Sequence, residues 1–323
     1  MGALGRFLMV VCSAVAAATA AAAECIDAPD LAAYQEARPE DFALGPTRSD
    51  RLGRVVAPVS INGQGPYRFI VDTGANRSVV SQALAEQLGL AQTGSGEVHS
   101  VHGVSTAPLV EVASLEYGEL SLTGAAMPML HGAVLAGEQG LLGVDGMRGR
   151  RLRMDFERNC IEIVPSSEAR RLRGWATIRG ELRFGHLVVI RGHINGVRVN
   201  LLIDTGSDSS LANNALRDAL NARVRDNRRQ IDYAIAYTAG DRVILNRAML
   251  VQRLDIGELE VRNITAFVGD FHIFNFWGLQ DEPTLLVGMD VLSQARGLAI
   301  DYGRSTVHVR PRDDLRFGSR VQN

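Results

Sequence analysis

The sequence predicts a mainly β protein built as two homologous lobes. Three observations predict it. With 33 glycines against 10 prolines in 323 residues, the chain needs many tight turns, which suits short strands better than a helical bundle. A strand, an Asn-Gly turn and a second strand ending in Asp-Thr-Gly occur twice. Three further segments recur in the same order in both halves, and such self-similarity marks a repeated structural unit.

The first copy opens with Val56-Ala57-Pro58-Val59-Ser60-Ile61, an alternating strand that runs into Asn62-Gly63. An Asn-Gly pair between apolar runs is a strong hairpin signal. The returning strand is Tyr67-Arg68-Phe69-Ile70-Val71, closed by Asp72-Thr73-Gly74. In the second copy Leu187 to Ile194 leads into Asn195-Gly196, and Val199 to Ile203 ends in Asp204-Thr205-Gly206. A short helix is expected after each triplet, its apolar side formed by Ala83, Leu84 and Leu88, then by Ala215, Leu216 and Leu220. Glu116-Tyr117-Gly118-Glu119-Leu120 matches Asp255-Ile256-Gly257-Glu258-Leu259 as a second hairpin signal. Leu141-Leu142-Gly143-Val144-Asp145 matches Leu286-Val287-Gly288-Met289-Asp290, and Leu152 to Phe156 matches Leu298 to Tyr302.

Equivalent positions lie 132 residues apart at Asp72 and Asp204, 139 at Gly118 and Gly257, 145 at Gly143 and Gly288, and 146 at Asp155 and Asp301. The drift is what loop insertions in the second copy produce. It sets the expected lobes at 54–165 and 175–311, with a charged linker at 166–174 and a tail at 312–323. Arg170, Arg171 and Arg173 in the linker read as a solvated face.

Residues 1–23 read as an export signal: Arg6, an apolar stretch from Phe7 to Val15, and Ala21-Ala22-Ala23 before Glu24. An uncleaved anchor formed by Phe7 to Ala23 is disfavoured because about half of that run is Ala. No later apolar run is long enough to span a bilayer, so the mature chain is expected outside the cytoplasm, periplasmic or secreted, without stable membrane insertion. Residues 24–53 form a polar, proline-broken extension with no assigned chemistry. Cys12 departs with the signal, leaving Cys25 and Cys160 either bridged or as two thiols; geometry decides between them. A formal net charge of −2 offers no surface for nucleic acid.

Each Asp-Thr-Gly ends an apolar strand in a carboxylate, a costly place for a charge unless donors or function compensate it. Thr supplies a hydroxyl, and Gly lets backbone N–H groups approach closely. Should the lobes pack about a pseudo-two-fold axis, Asp72 and Asp204 meet and share a proton, because two touching carboxylates resist joint ionisation. A water between them then attacks an amide carbonyl.

Asp72-Thr73-Gly74-Ala75 and Asp204-Thr205-Gly206-Ser207, with Leu142-Gly143 and Val287-Gly288 behind them, resemble the retropepsin-like aspartic proteases. The resemblance covers about four fifths of the chain. It implies the bilobal retropepsin- or pepsin-like fold, two β-barrel-like lobes with a cleft between them. It also implies that Asp72 and Asp204 are catalytic, that Thr73, Gly74, Thr205, Gly206 and Ser207 support the turns, and that Gly143 and Gly288 are structural. Substrate-covering hairpins are expected around His102 and Gly103 in the first lobe and Ala239 and Gly240 in the second. A Ser207 hydroxyl bonded to the carboxylate would favour its charged form.

These features lead us to expect an exported aspartic endopeptidase that acts on peptide or protein substrates as a monomer and needs no cofactor or metal. The competing expectation is a catalytically silent peptide-binding or scaffolding protein of the same fold. His99 and His102 lack a partner ligand at a metal-binding spacing and read as loop residues. Trp277 reads as part of a packed aromatic cluster in preference to a substrate subsite. The His-Glu-x-x-His and Gly-x-Ser-x-Gly signatures of other hydrolases are absent.

Overall fold

The computed structural model describes residues 26–27, 54–131, 135, 137–157, 160–221, 225–226, 234–237, 242–245 and 247–312. The expected export signal, Cys25, Ala239, Gly240 and nearly all of the N-terminal extension and the tail lie outside the described residues. Among the described residues no helix is long and apolar enough to cross a membrane.

After the short strand β1 (Ile26–Asp27), the first lobe comprises β2 (Val56–Ile61), β3 (Gln64–Val71), β4 (Val79–Ser81), α1 (Gln82–Gln87), β5 (Gln92–His99), β6 (Val104–Tyr117), β7 (Leu120–Leu130) and β8 (Gly140–Leu142). Both residues of the first Asn-Gly turn take positive φ, 51° at Asn62 and 72° at Gly63, as a two-residue hairpin requires. The strands run in the order β2-β3-β8-β4-β7-β6, and pairing of β2 with β6 closes them into a barrel. Helix α1 is capped by the Ser81 hydroxyl, which accepts from Leu84 N–H. Its buried face is Leu84 and Ala85 with Leu88 beside them; Ala83 is exposed, since two residues on a helix place it about 200° round the axis from Ala85.

Strands β9 (Arg150–Asp155) and β10 (Cys160–Pro165) leave the first barrel. The second lobe follows with β11 (Ala176–Arg183), β12 (Leu187–Ile194), β13 (Val197–Ile203), β14 (Ser210–Ala212), α2 (Asn214–Ala219), β15 (Arg225–Asp226), β16 (Ala234–Tyr237), β17 (Arg242–Leu245), β18 (Arg247–Ile256), β19 (Leu259–Val268), α3 (His272–Phe276), β20 (Thr284–Val287), α4 (Met289–Leu292), β21 (Gly297–Asp301) and β22 (Thr306–Arg310). Its barrel order, β12-β13-β20-β14-β19-β18 closed by β12 on β18, repeats the first.

Registers repeat as well as order. Phe69, Ile70 and Val71 pair in parallel with Gly140, Leu141 and Leu142, and Leu201, Leu202 and Ile203 pair in parallel with Leu285, Leu286 and Val287. Each barrel closes over its own apolar interior, with Phe69, Ile61 and Leu115 fully buried in one and Leu201, Leu254 and Leu285 in the other.

The lobes are joined by an antiparallel sheet, β1-β10-β9-β21-β22-β11, with β9 of one lobe beside β21 of the other. There Arg153 lies opposite Ala299, the residue that is its own counterpart in the repeat. Met154 opposite Leu298 is then the mirror of Leu152 opposite Ile300. A pseudo-dyad therefore passes between Arg153 and Ala299. Cys160 in this sheet is disulfide-bonded, and Ile26 and Asp27 pair with Ile161 and Cys160.

Candidate active site

The pseudo-dyad brings the two Asp-Thr-Gly turns face to face. Each Asp is held at its strand end by a backbone bond from the neighbouring strand: Asp72 N–H donates to Leu142 O at 2.9 Å and Asp204 N–H to Val287 O at 3.0 Å. The two carboxyl groups are hydrogen-bonded to each other. Each lies against the glycine of the opposite turn. A Cβ on Gly74 would stand 2.5 Å from the Asp204 carboxyl carbon, and one on Gly206 would stand 2.3 Å from that of Asp72. No other residue leaves that space.

The threonines tie the turns together. Thr73 Oγ1 donates to Ile203 O at 2.7 Å, and Thr205 Oγ1 donates to Val71 O at 2.6 Å. Each hydroxyl also accepts the opposite threonine's N–H, at 3.2 and 3.1 Å. Gly74 N–H donates to Asp72 Oδ1, and Gly206 and Ser207 N–H donate to Asp204 Oδ1. The support expected from Ser207 comes from its amide. Its hydroxyl proton goes to Ser209 O at 2.8 Å, so the expected hydroxyl bond to the carboxylate does not form.

Burial raises the pKa of both carboxyl groups, and the negative charge of Asp72 raises Asp204 further, well above the usual range. Asp72 is pulled back by Gly74 N–H, by the hydrogen bond from Asp204 and by the positive charge of Arg54. The pair therefore titrates as a unit and keeps one proton between Asp72 and Asp204 beyond ordinary carboxylate pH. Arg54 lines the same cavity, and its Nε has no hydrogen-bond partner among the described residues. The repeat places Leu187, a buried residue, at the equivalent position of the second lobe.

Behind each turn sits a Ser–Asp pair that sequence reasoning left without a role, Ser78 with Asp145 and Ser210 with Asp290, next to the glycine expected to be structural. Gly143 and Gly288 pack so closely on the backbone of Arg77 and Ser209 that an added Cβ would stand 2.6 Å from them. Gly143 N–H donates to Ser78 Oγ, whose proton goes to Asp145; Gly288 N–H donates to Ser210 Oγ, whose proton goes to Asp290. The signal was present in the repeat, since Ser and Asp stand at equivalent positions in both copies.

A cavity of about 400 Å³ extends over the dyad. Its walls follow the pseudo-symmetry, with Val79 and Leu141 on one side and Leu211 and Leu286 on the other. The first-lobe hairpin forms from β5 and β6, but the residues it turns into the cavity are Glu97 to Val101. His102 instead packs edge-on against Phe271 at 5.2 Å, and a Cβ on Gly103 would meet no atom within 4 Å. In the second lobe β16 and β17 form the corresponding hairpin, and Leu245 lines the cavity. Trp277 both stacks on Phe184 at 5.6 Å and lines the cavity. Among the described residues no group of three or more His, Cys, Asp or Glu is arranged to hold a metal ion.

No curated protein matches the chain. Among solved structures, the crystal structure of a retropepsin-like aspartic protease from Rickettsia conorii is similar at 18% identity and a TM-score of 0.28, covering 44% of this chain and 96% of that one. A family model described as aspartyl protease matches residues 57–145 and 190–291, more than half of the chain. Because that model takes in both barrels and both Asp-Thr-Gly turns, the chain belongs to the aspartyl protease family.

Proposed function

We propose that the chain is an aspartic endopeptidase in which Asp72 and Asp204 activate the water that hydrolyses a peptide bond. The observation that carries this reading is the contact of two buried carboxyl groups, each packed on the glycine of the opposite turn and both lining one cavity. Ionised Asp72 takes a proton from water as the water oxygen bonds to the amide carbon, and Asp204 gives its proton to the carbonyl oxygen. Collapse of the tetrahedral diol breaks the C–N bond. The proton on Asp72 goes to the departing amine, and a diol hydroxyl returns one to Asp204.

The hairpin ending at His99 and the paired apolar walls support an extended peptide, bound by strand-like main-chain bonds with apolar side chains on both sides of the scissile amide. Both carboxylates come from one chain, which supports action as a monomer. Export is part of the same reading: it is supported by the N-terminal signal pattern and by the disulfide at Cys160, a bond that persists in oxidising compartments. Cys25, which immediately precedes Ile26, is the proposed partner.

The test is digestion of a sequence-diverse peptide mixture from acid to neutral pH by the wild-type chain and by folded Asp72→Asn. Products that vanish in the variant are expected. No products from either protein would leave a peptide-binding protein of the same fold.

A further inference from the structure

The two lobes differ where the first-lobe hairpin lands. Between the strand paired with β4 or β14 and the strand behind the Asp turn, the second lobe is six residues longer: equivalent positions are 139 apart at Met129 and Val268 and 145 apart at Gly140 and Leu285. That longer segment carries α3, and the hairpin tip rests on it. His99 Nδ1 lies 3.0 Å from His272 Nε2. The His99 ring stacks on Phe276 with centroids 3.9 Å apart, and Ile273 N–H donates to Val101 O at 3.4 Å. The residues so anchored are the ones that roof the cavity over Asp72 and Asp204.

Resting on the peptidase reading above, we infer that His99 and His272 are positioning residues: they form a latch that holds the 97–101 segment over the dyad and releases it when both imidazoles are protonated. The geometry sets the rule. An imidazole–imidazole bond needs one N–H donor and one bare nitrogen acceptor, so it survives with no added proton or with one. A second proton puts two N–H groups and two positive charges 3.0 Å apart.

The charged and titratable groups around the pair are Glu97, His102 and Asp270. Glu97 Oε2 lies 3.8 Å from His99 Nε2, the ring nitrogen that does not meet His272. His102 lies on the same tip against Phe271, where burial holds its imidazole below the ordinary value. Asp270, just before α3, accepts from Asn275 at 3.3 Å and belongs to the helix's own frame. Acid thus opens the roof while the dyad still holds its proton, which confines turnover to the less acidic side of the range a shared carboxylate proton would permit.

The experiment is amide hydrogen exchange of the full chain between about pH 5 and about pH 8, the span in which imidazoles take up protons, corrected for intrinsic exchange. Protection of peptides covering Val98 to Val104 is expected to fall about ten-fold or more toward acid in the wild type. In His272→Gln it should stay level, because the amide offers either a donor or an acceptor to His99. His99→Gln makes the same exchange from the hairpin side. With peptide substrate, KM should rise toward acid in the wild type and stay flatter in both variants, with a smaller change in kcat.

Protection that does not change with pH in the wild type, or that falls equally in both glutamine variants, overturns the latch. A pH-dependent roof in a chain that cleaves nothing upholds the latch and refutes the peptidase reading.

Discussion

Thr73 and Thr205 sit on opposite lobes, and each completes the other's backbone: every hydroxyl gives its proton to a carbonyl across the dyad and takes the opposing N–H in return. Both side chains are fully or almost fully buried. No water reaches these groups to replace a lost partner, so the exchange fixes the distance between the two carboxyl groups as well as joining the lobes.

Thr205→Val keeps the shape and removes the hydroxyl, stranding Val71 O and Thr73 N–H. Each buried group left unpaired costs about 1–3 kcal/mol, so a loss of roughly 2–6 kcal/mol is expected in denaturant unfolding. Thr205→Ser retains both bonds and should lose much less. Equal losses in the two variants would mean that the methyl, not the hydroxyl, matters there.

The order of these elements was legible in the sequence because the chain states it twice. A strand ending in Asp-Thr-Gly has one register that buries Phe69 and Val71, and repeating the pattern at Leu201 and Ile203 repeats the barrel. What was not legible lies between distant segments. The hydroxyl of Ser207 has two acceptors within reach, and only the fold shows that Ser209 O takes it. Likewise His99 and His272 are 173 residues apart, and neither has a spacing that announces the other. Which residues of the β5–β6 hairpin turn inward depends on the pleat and on α3, and a sequence pattern shows neither: Glu97 to Val101 line the cavity, while His102 packs on Phe271.

Arg54 has no counterpart in the second lobe and biases the shared proton. Its positive charge favours the ionised form of Asp72. Arg54→Leu installs the residue type found at Leu187, and removal of the charge lets the Asp72 pKa rise. If one proton on the pair is the active state, protonation of Asp72 sets the acidic limb of activity. That limb should therefore move to higher pH in the variant, with Arg54→Lys restoring it. A pH–rate profile over the acidic range checks this, and an unmoved limb would remove Arg54 from the dyad's electrostatics.

Gly206 tests how much the carboxyl contact depends on closeness. A methyl group at this position would need the space 2.3 Å from the Asp72 carboxyl carbon, so Gly206→Ala must push the two turns apart. Displacement of reacting groups by about 1 Å costs on the order of 100-fold in rate. We expect a loss of that size in kcat, with circular dichroism still reporting the β fold. Wild-type kcat in Gly206→Ala would show that the turns have slack.

Asp204 should also reveal itself through stability. Burial, with the charge of Asp72, raises its pKa in the folded chain well above the unfolded value. The folded state therefore retains a proton that the unfolded state has already released, and stability falls as pH rises from the unfolded pKa toward the folded one. Asn at this position resembles the protonated form: its oxygen can accept the Gly206 and Ser207 N–H groups, and its amide can donate to Asp72. Relative to the wild type, Asp204→Asn should then gain thermal stability as pH increases from about 4 to about 7, while losing turnover. Melting temperatures of the two proteins at both pH values decide the matter. A difference that does not grow with pH would show that Asp204 ionises in the fold as readily as in the open chain, and the shared proton on which the mechanism depends would be lost with it.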